Sequence, residues 1–329
     1  MTNGMDSYTS KLEAPVEKQI RTETIGGFWK RRYGHLRLRF VDWNCIGYMA
    51  LIAVLLPMFH HHVPNWPLDV LIHVALIWGA LEVIRSGELH PANRVLWTMR
   101  TFYPVVFLAY GWSELNHLVL MIFGSFWAND LVVGIDKLVF GVHPTVWVQQ
   151  LYSPVLDELM NVFNLGYYLF MPMVLLPLFL RGKREETLAA FGIATLAYFV
   201  NFVLFFFFPT LSPRVVPGLA EAHTVDFTGY VAASIIRTLQ ANGSVFGAAF
   251  PSSHVTAAVA WCLAALRYNR KMGYLLIAMA VGMAISTVYL RYHHAVDAIA
   301  GTLLGVACYY VALSVLKKRG EDPHGSVAH

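Results

Sequence analysis

The chain has 329 residues, 57% of them hydrophobic and only 13% charged, with a mean hydropathy of +0.52. A soluble domain carries roughly twice that share of charge, so the composition excludes an intrinsically disordered chain, a coiled coil and a nucleic-acid-binding domain. The net charge of +4 is small, and where the charges lie along the chain says more than their sum.

Residues 1–40 are polar and lack the apolar centre of a signal peptide. They close on the basic cluster Lys30, Arg31, Arg32, Arg37 and Arg39, which reads as the end of a cytoplasmic tail. Eight apolar blocks follow, at 43–60, 68–85, 102–126, 159–180, 187–208, 250–268, 273–291 and 294–316. Each is near the ~20 residues with which a helix crosses about 30 Å of hydrocarbon. The expected fold class is therefore an all-α integral membrane protein with about eight transmembrane helices and both tails on one side. Of the 24 Lys and Arg residues, all but Lys137, Arg214, Arg237 and Arg291 fall in the tails or in loops that this count puts beside them. The positive-inside rule makes that side cytoplasmic. Two long loops, at about 127–158 and 209–249, then lie outside. Leu131 to Phe140, and the segment around Gly229 to Leu239, are expected there as short interfacial helices. Cys45, Cys262 and Cys308 lie in apolar blocks without metal-ligand spacing and read as small buried side chains.

Three polar clusters fall at the outer ends of the predicted spans: Pro209-Thr210-Leu211-Ser212-Pro213-Arg214, Phe250-Pro251-Ser252-Ser253-His254, and Tyr289 to Asp297. In the last, His293 and Asp297 are four residues apart and share a helix face. A carboxylate there holds an imidazole in one tautomer and leaves its other nitrogen as base or nucleophile; a histidine bonded to a helix cap is the plainer alternative. Pro-Ser-Ser-His opening a helix offers free backbone N–H groups and two hydroxyls to a phosphate, or simply a serine cap. Arg214 and Arg291 stand near these clusters on a face poor in positive charge. They are phosphate ligands or interfacial anchors.

The Pro-Ser-Ser-His box, followed about forty residues on by His293-x-x-x-Asp297 with one helix between, resembles the type-2 phosphatidic acid phosphatase (PAP2) superfamily. It is most similar to the branch that includes the inositol phosphorylceramide synthases. The resemblance covers roughly residues 102–316 and implies a six-helix catalytic core. It leaves a basic tail at 1–42, two extra helices within 43–101 and a second cytoplasmic tail at 317–329. It implies that His293 is the nucleophile that forms a phosphohistidine, that Asp297 orients it, and that His254 protonates the departing lipid alkoxide and then activates the acceptor. It implies that Ser252, Ser253 and Arg214 cradle the phosphate, with no metal and no cofactor. The chain departs from the family where a Lys and a Pro are usual around the first Arg; Phe207 and Val215 stand there. It departs again at Thr287, where an Arg is usual, and Arg291 is one turn further on the same face.

The expected substrate is a lipid phosphate reached from the bilayer, with water or a second lipid's hydroxyl as acceptor. The expected location is a bacterial inner or plasma membrane with the site on the extracytoplasmic side, or the lumenal side of the Golgi or ER in a eukaryote. A transporter, or an inactive lipid-binding scaffold, is the rival reading. Glu114, Asn116 and His117 lie inside the third block. They read as pairing with Asn161, Asn164 or Asn201 between helices, or as lining a headgroup pocket. His60, His61 and His62 read as a polar loop at the membrane edge, and His294 as a neighbour that lies off the Asp297 face.

Overall fold

The computed structural model describes residues 25–34 and 36–325, and regular structure among them is helical apart from one isolated bridge between Thr210 and Ala248. Most of the expected N-terminal tail therefore lies outside the described residues. α1 (Ile25–Tyr33) belongs to a separate N-terminal unit and carries Lys30, Arg31 and Arg32 in its last turn, where cations suit the helix dipole. From Leu38 on, the described residues form one compact unit. It contains α2 (Phe40–Met58), α3 (Trp66–Leu89), α4 (Arg94–Leu118), α5 (Asn129–Phe140), α6 (Pro144–Trp147), α7 (Pro154–Leu165) and α8 (Tyr167–Leu180). It continues with α9 (Arg184–Phe207), α10 (Val231–Gly243), α11 (Ser253–Tyr268), α12 (Arg270–Tyr289) and α13 (Ala295–Lys318).

Each of the eight expected spans is a helix or a helix pair, but only six are long and apolar enough to cross a bilayer: α2, α3, α7 with α8, α9, α12 and α13. α11 has 16 residues, about 24 Å of helix. α4 is long enough, yet it starts at Arg94 instead of 102 and ends at Leu118 instead of 126. The shift admits Arg94 and Arg100 and lowers its hydropathy. Outward-facing apolar side chains such as Leu71, Val74 and Trp78 on α3 and Leu303, Tyr310 and Val311 on α13 give the bundle a lipid-facing surface. The two expected interfacial helices are α5 and α10. Leu138 and Val139 are exposed on α5, Val231 and Ile235 on α10.

Arg100 is tolerable inside the bundle because it is paired. Its guanidinium donates to both Asp42 carboxylate oxygens at 2.9 and 2.7 Å, and both side chains are fully buried. Tyr103 Oη and Arg39 N–H also donate to Asp42, each at 2.7 Å, and Glu88 lies 3.3 Å from Arg100 Nε. Gly87 of α3 leaves the room: a Cβ there would stand 2.5 Å from Arg100 Cβ. Glu114 is paired too, though not with the expected asparagines. Tyr48 Oη donates to it at 2.9 Å, and His73 Nε2 lies 3.0 Å away. These partners sit on α2 and α3, so the first two long helices close the polar positions of α4. Asn116 bonds locally to Ser113 O, and His117 lies 3.5 Å from Asp69.

α11 lies at the centre, against α8, α9, α12 and α13. Its Ala257, Ala258, Ala260, Ala264 and Ala265 are fully buried, and such small residues let helices approach closely. Gly301 and Gly305 of α13 extend this: an added Cβ would lie 2.6 Å from Ser252 O and 2.7 Å from Thr256 O. At the far end of α11, Arg267 pairs with Asp322. Nearby in the chain, Glu321 accepts from Phe40 N–H at 2.7 Å, and Arg319 donates to Leu38 O at 2.6 Å.

Removing one member of the Asp42–Arg100 pair strands a buried charge. Arg100→Met is expected to cost roughly 3–5 kcal/mol, read as an earlier thermal transition in detergent. The double variant Asp42→Asn/Arg100→Met should recover part of that loss. A double variant as unstable as the sum of the two singles would show that the pair is not coupled.

Candidate active site

Ser252 is the N-cap of α11, its hydroxyl accepting from Val255 N–H at 3.4 Å. Its own N–H donates to Asp297 O at 3.1 Å, which ties the start of α11 to the first turn of α13. Asn201 of α9 supports the same turn, donating to Pro251 O at 3.3 Å and to Thr256 Oγ1 at 3.0 Å. His254 follows in the first turn of α11. On the other side, the chain leaves α12 through Arg291 at φ 62, a left-handed conformation that costs a non-glycine residue about 1 kcal/mol. Thr287 O then accepts from both Tyr292 N–H and His293 N–H, at 2.9 and 3.1 Å, and the chain is turned back into α13. Two helix starts distant in sequence thereby bring the His254 and His293 rings to 5.7 Å between centroids.

His293 Nδ1 lies 2.8 Å from Ala249 O and 3.5 Å from Asp297 Oδ2. A carbonyl only accepts, so Nδ1 carries the proton and Nε2 keeps its lone pair. The hydrogen bond that orients the ring is thus the one to Ala249. Asp297 Oδ2 is engaged by His294 N–H at 2.7 Å, as a cap of α13, while its Oδ1 is buried without a partner. Burial pushes the His293 pKa down to about 4, so the imidazole is neutral at physiological pH. The His254 ring is held by aromatic contacts, 4.5 Å from Tyr167 and 6.2 Å from Trp112, and its Nδ1 is buried without a partner.

Both histidines line a cleft of about 220 Å³ with Trp112, Asn164, Tyr167, Thr287, Tyr292 and residues at the end of α10. Ser252, Ser253, Asp297, Arg214 and Arg291 do not line it. Ser252 and Ser253 are buried in the cap. Arg214 Nε donates to Leu290 O at 2.9 Å, and its guanidinium covers the Tyr292 ring at 3.9 Å. Arg291 lies over Phe227 at 4.0 Å. The two arginines meet in a second recess, beside the cleft and separate from it. Of the neighbouring histidines, His294 is fully buried with Asp136 4.0 Å away, and His62 bonds Met121 O at 2.9 Å.

Trp112, Tyr167 and Tyr292 are cleft residues that the sequence does not single out, and Asn164, expected only as a partner for the third block, lines the cleft too. Trp112 and Tyr167 sit in apolar helices where an aromatic residue is ordinary core, so nothing in the sequence separates them from packing. Tyr292 was adjacent to a named residue, and Thr287 was already marked as the place where a family arginine is missing.

Residues 170–321 match the PAP2 superfamily. That stretch holds both histidines, Asp297 and both arginines. A PA-phosphatase related-family protein of Dictyostelium discoideum is 33% identical over 115 residues, 34% of this chain and 20% of that protein. The chain thus aligns with about a fifth of that relative's length. No solved structure matches.

Because the folded chain keeps His293 neutral, protonation favours the unfolded state between the ordinary histidine value near 6.5 and about 4. This residue's contribution to stability is therefore lost as pH falls through that window. Carbethoxylation attacks neutral imidazole, so its rate at His293, followed by peptide mass mapping, should hold down to about pH 5 while free N-acetylhistidine falls away. A His293 rate that halves near pH 6.5 would contradict the buried neutral ring.

Proposed function

We propose that the protein is a PAP2-type membrane enzyme that moves a phosphoryl group from a lipid phosphate ester through a phosphohistidine on His293. The observation that carries this reading is the pair of histidines facing one cleft, with Nε2 of His293 left free by the Nδ1 bond to Ala249. In the first step Nε2 attacks phosphorus and the bond from phosphorus to the lipid oxygen breaks. Protonated His254 gives its proton to the departing alkoxide. The dianionic phosphate itself favours that imidazolium. In the second step His254 takes a proton from water or a lipid hydroxyl, whose oxygen attacks phosphorus. The N–P bond breaks, its electron pair returns to Nε2, and His254 is again protonated. The backbone N–H groups at the start of α11 offer donors to the phosphate oxygens, with Ser252 and Ser253 shaping that turn. Arg214 and Arg291 supply positive potential from the adjoining recess. Asp297, 3.5 Å from Nδ1, stabilises the charge that develops on the ring.

In this reading the histidine end of the bundle faces outward. His254 and Arg267 lie about 20 Å apart along α11, and the basic end is the cytoplasmic one. Residues 102–316 form the catalytic bundle, and the helices within 43–101 buttress it. The similarity of the motifs to inositol phosphorylceramide synthases favours a lipid hydroxyl as acceptor. The lipid tail enters sideways between helices.

Trapping with a ³²P-labelled lipid phosphate tests the assignment. His293→Ala should give no phosphoprotein and no turnover. His254→Ala should lose roughly 10²–10⁴-fold on a lipid ester, and recover in part on p-nitrophenyl phosphate, whose leaving group needs no proton. Since Ala249 sets the tautomer, Asp297→Asn should lose less than the ~10⁴-fold seen where an aspartate alone sets it. Equal labelling of wild type and His293→Ala would place the nucleophile elsewhere.

A further inference from the structure

The short helix α5 is fixed to the bundle at both ends. Leu131, Ile135 and Leu138 line one side of it and are exposed, while Val132 and Asp136, one turn apart, are buried. Its start is tied to the loop that follows α9. Asn129 Oδ1 accepts from Leu211 N–H at 2.8 Å, and Val133 packs against Leu211, Val216 and Leu219. Just before α5, the Trp127 indole donates to Phe207 O at 3.2 Å. None of these contacts involves α13, so they make α5 a fixed mount from which the Asp136 side chain can act.

Asp136 ends at the first turn of α13, where its Oδ1 accepts from Val296 N–H at 2.9 Å. A helix leaves its first N–H groups without partners, and the side chain of the N-cap residue usually supplies an acceptor. Here the N-cap is His294, whose side chain makes no capping bond. Asp297 Oδ2 is taken up by His294 N–H. The acceptor for Val296 N–H therefore comes from another helix, 160 residues away along the chain. Asp136 is buried, and its Oδ2 has no hydrogen-bond partner and stands 4.0 Å from His294 Nδ1. A carboxylate bonded through one oxygen in such a place is costly and calls for a reason beyond stability.

The turn between α12 and α13 is held on one side by Thr287 O, which accepts from Tyr292 and His293 N–H, and on the other by Asp136 at Val296. His293 stands between these two holds, with its Nδ1 on Ala249 O. We infer that Asp136 is a positioning residue: by capping α13 from a separate helix, it fixes the turn that aims Nε2 of His293 into the cleft. The inference rests on the proposed role of His293 as nucleophile. Asp136 does not line the cleft, so it acts through the backbone of α13 and not on the substrate.

The test uses full-length protein in detergent carrying Asp136→Ala, which removes the acceptor, or Asp136→Asn, which keeps one. Asp136→Ser, whose oxygen is one bond nearer the backbone, replaces Asp136→Ala if that variant does not fold. Hydrogen exchange at Val296 N–H reads the cap without any activity. It should be about tenfold faster in Asp136→Ala and near wild type in Asp136→Asn. On a lipid phosphate, kcat of Asp136→Ala should fall by about 10- to 10²-fold with KM within about twofold of wild type. Asp136→Asn should recover most of that loss. The loss in Asp136→Ala should persist on p-nitrophenyl phosphate, because attack by a misplaced Nε2 does not depend on a proton for the leaving group. Recovery there would place the defect at His254 and overturn the inference. Fast exchange with wild-type kcat would also overturn it, leaving a cap that serves stability alone. Unchanged exchange would remove the cap itself. Equal kcat losses in Asp136→Ala and Asp136→Asn would show that the acceptor is not what matters. A raised KM with unchanged kcat would assign Asp136 to substrate binding. A wild type that forms no phosphoprotein would defeat the nucleophile reading and the positioning role with it, whereas the other adverse outcomes defeat only the role of Asp136.

Discussion

The close crossing of α11 and α13 is the constraint on which the site depends. Gly301 and Gly305 bring the α13 backbone onto the carbonyls of Ser252 and Thr256, at distances where no side chain fits. This contact, with the Ser252 N–H bond to Asp297 O, locks two helix starts together although 43 residues separate Ser252 from Ala295. Each start carries one histidine, so their separation is set by backbone packing and not by flexible side chains. The proposed reaction needs this kind of rigidity, because a misplacement of about 1 Å costs rate steeply. The same crossing buries Asp297 and leaves its second oxygen unpartnered, a penalty that pure structural optimisation would have removed.

Much of this was legible in the sequence because it is written in local pattern. Apolar blocks marked the helices, and the Pro-Ser-Ser-His and His-x-x-x-Asp boxes marked the two starts that meet. The amphipathic segments α5 and α10 also read correctly as short helices. What escaped depends on partners far apart in the chain. The third apolar block begins later than its helix, because Arg94 and Arg100 interrupt the apolar pattern at the start of α4. Their helix exists since Asp42, on another helix, neutralises Arg100. Likewise the tautomer of His293 is set by the carbonyl of Ala249, 44 residues away, which has no signature at all. The Asp297 spacing pointed to a geometry in which a carboxylate makes that bond, and 3.5 Å is too long for it to compete with 2.8 Å.

The first two long helices illustrate how a membrane bundle accommodates charge. Asp42 from α2 and His73 from α3 meet Arg100 and Glu114 from α4. Each is a group that would be costly against lipid, and each is satisfied by a different helix. α4 in turn carries Trp112, whose indole donates to Gly243 O at 2.9 Å and whose ring borders His254. The N-terminal helices therefore reach the cleft through α4: they fix the helix that supplies one of its walls. Removing one partner of a buried ion pair is costly, so the pairs to Asp42 and His73 hold α4 at the register that places Trp112 beside His254.

The separation of arginines from histidines carries a chemical consequence. In the proposed reaction, a guanidinium beside His293 would oppose the protonation of His254 that leaving-group departure requires. In the recess, Arg214 covers the Tyr292 ring and donates to Leu290 O, so it adjoins the cleft without lining it. In the proposed reaction the field of Arg214 and Arg291 still reaches the phosphate, since charge acts over several ångströms in a partly buried site. The direct hydrogen bonds to phosphate oxygens in that reaction then fall to neutral donors at the start of α11. The donors nearest the cleft are uncharged, and the two histidines are the groups there whose charge can change. Proton movement between them and the substrate is thereby kept from being dominated by a fixed cation. This arrangement suits the proposed reaction, in which one imidazole must be neutral when it attacks while the other starts in its charged form.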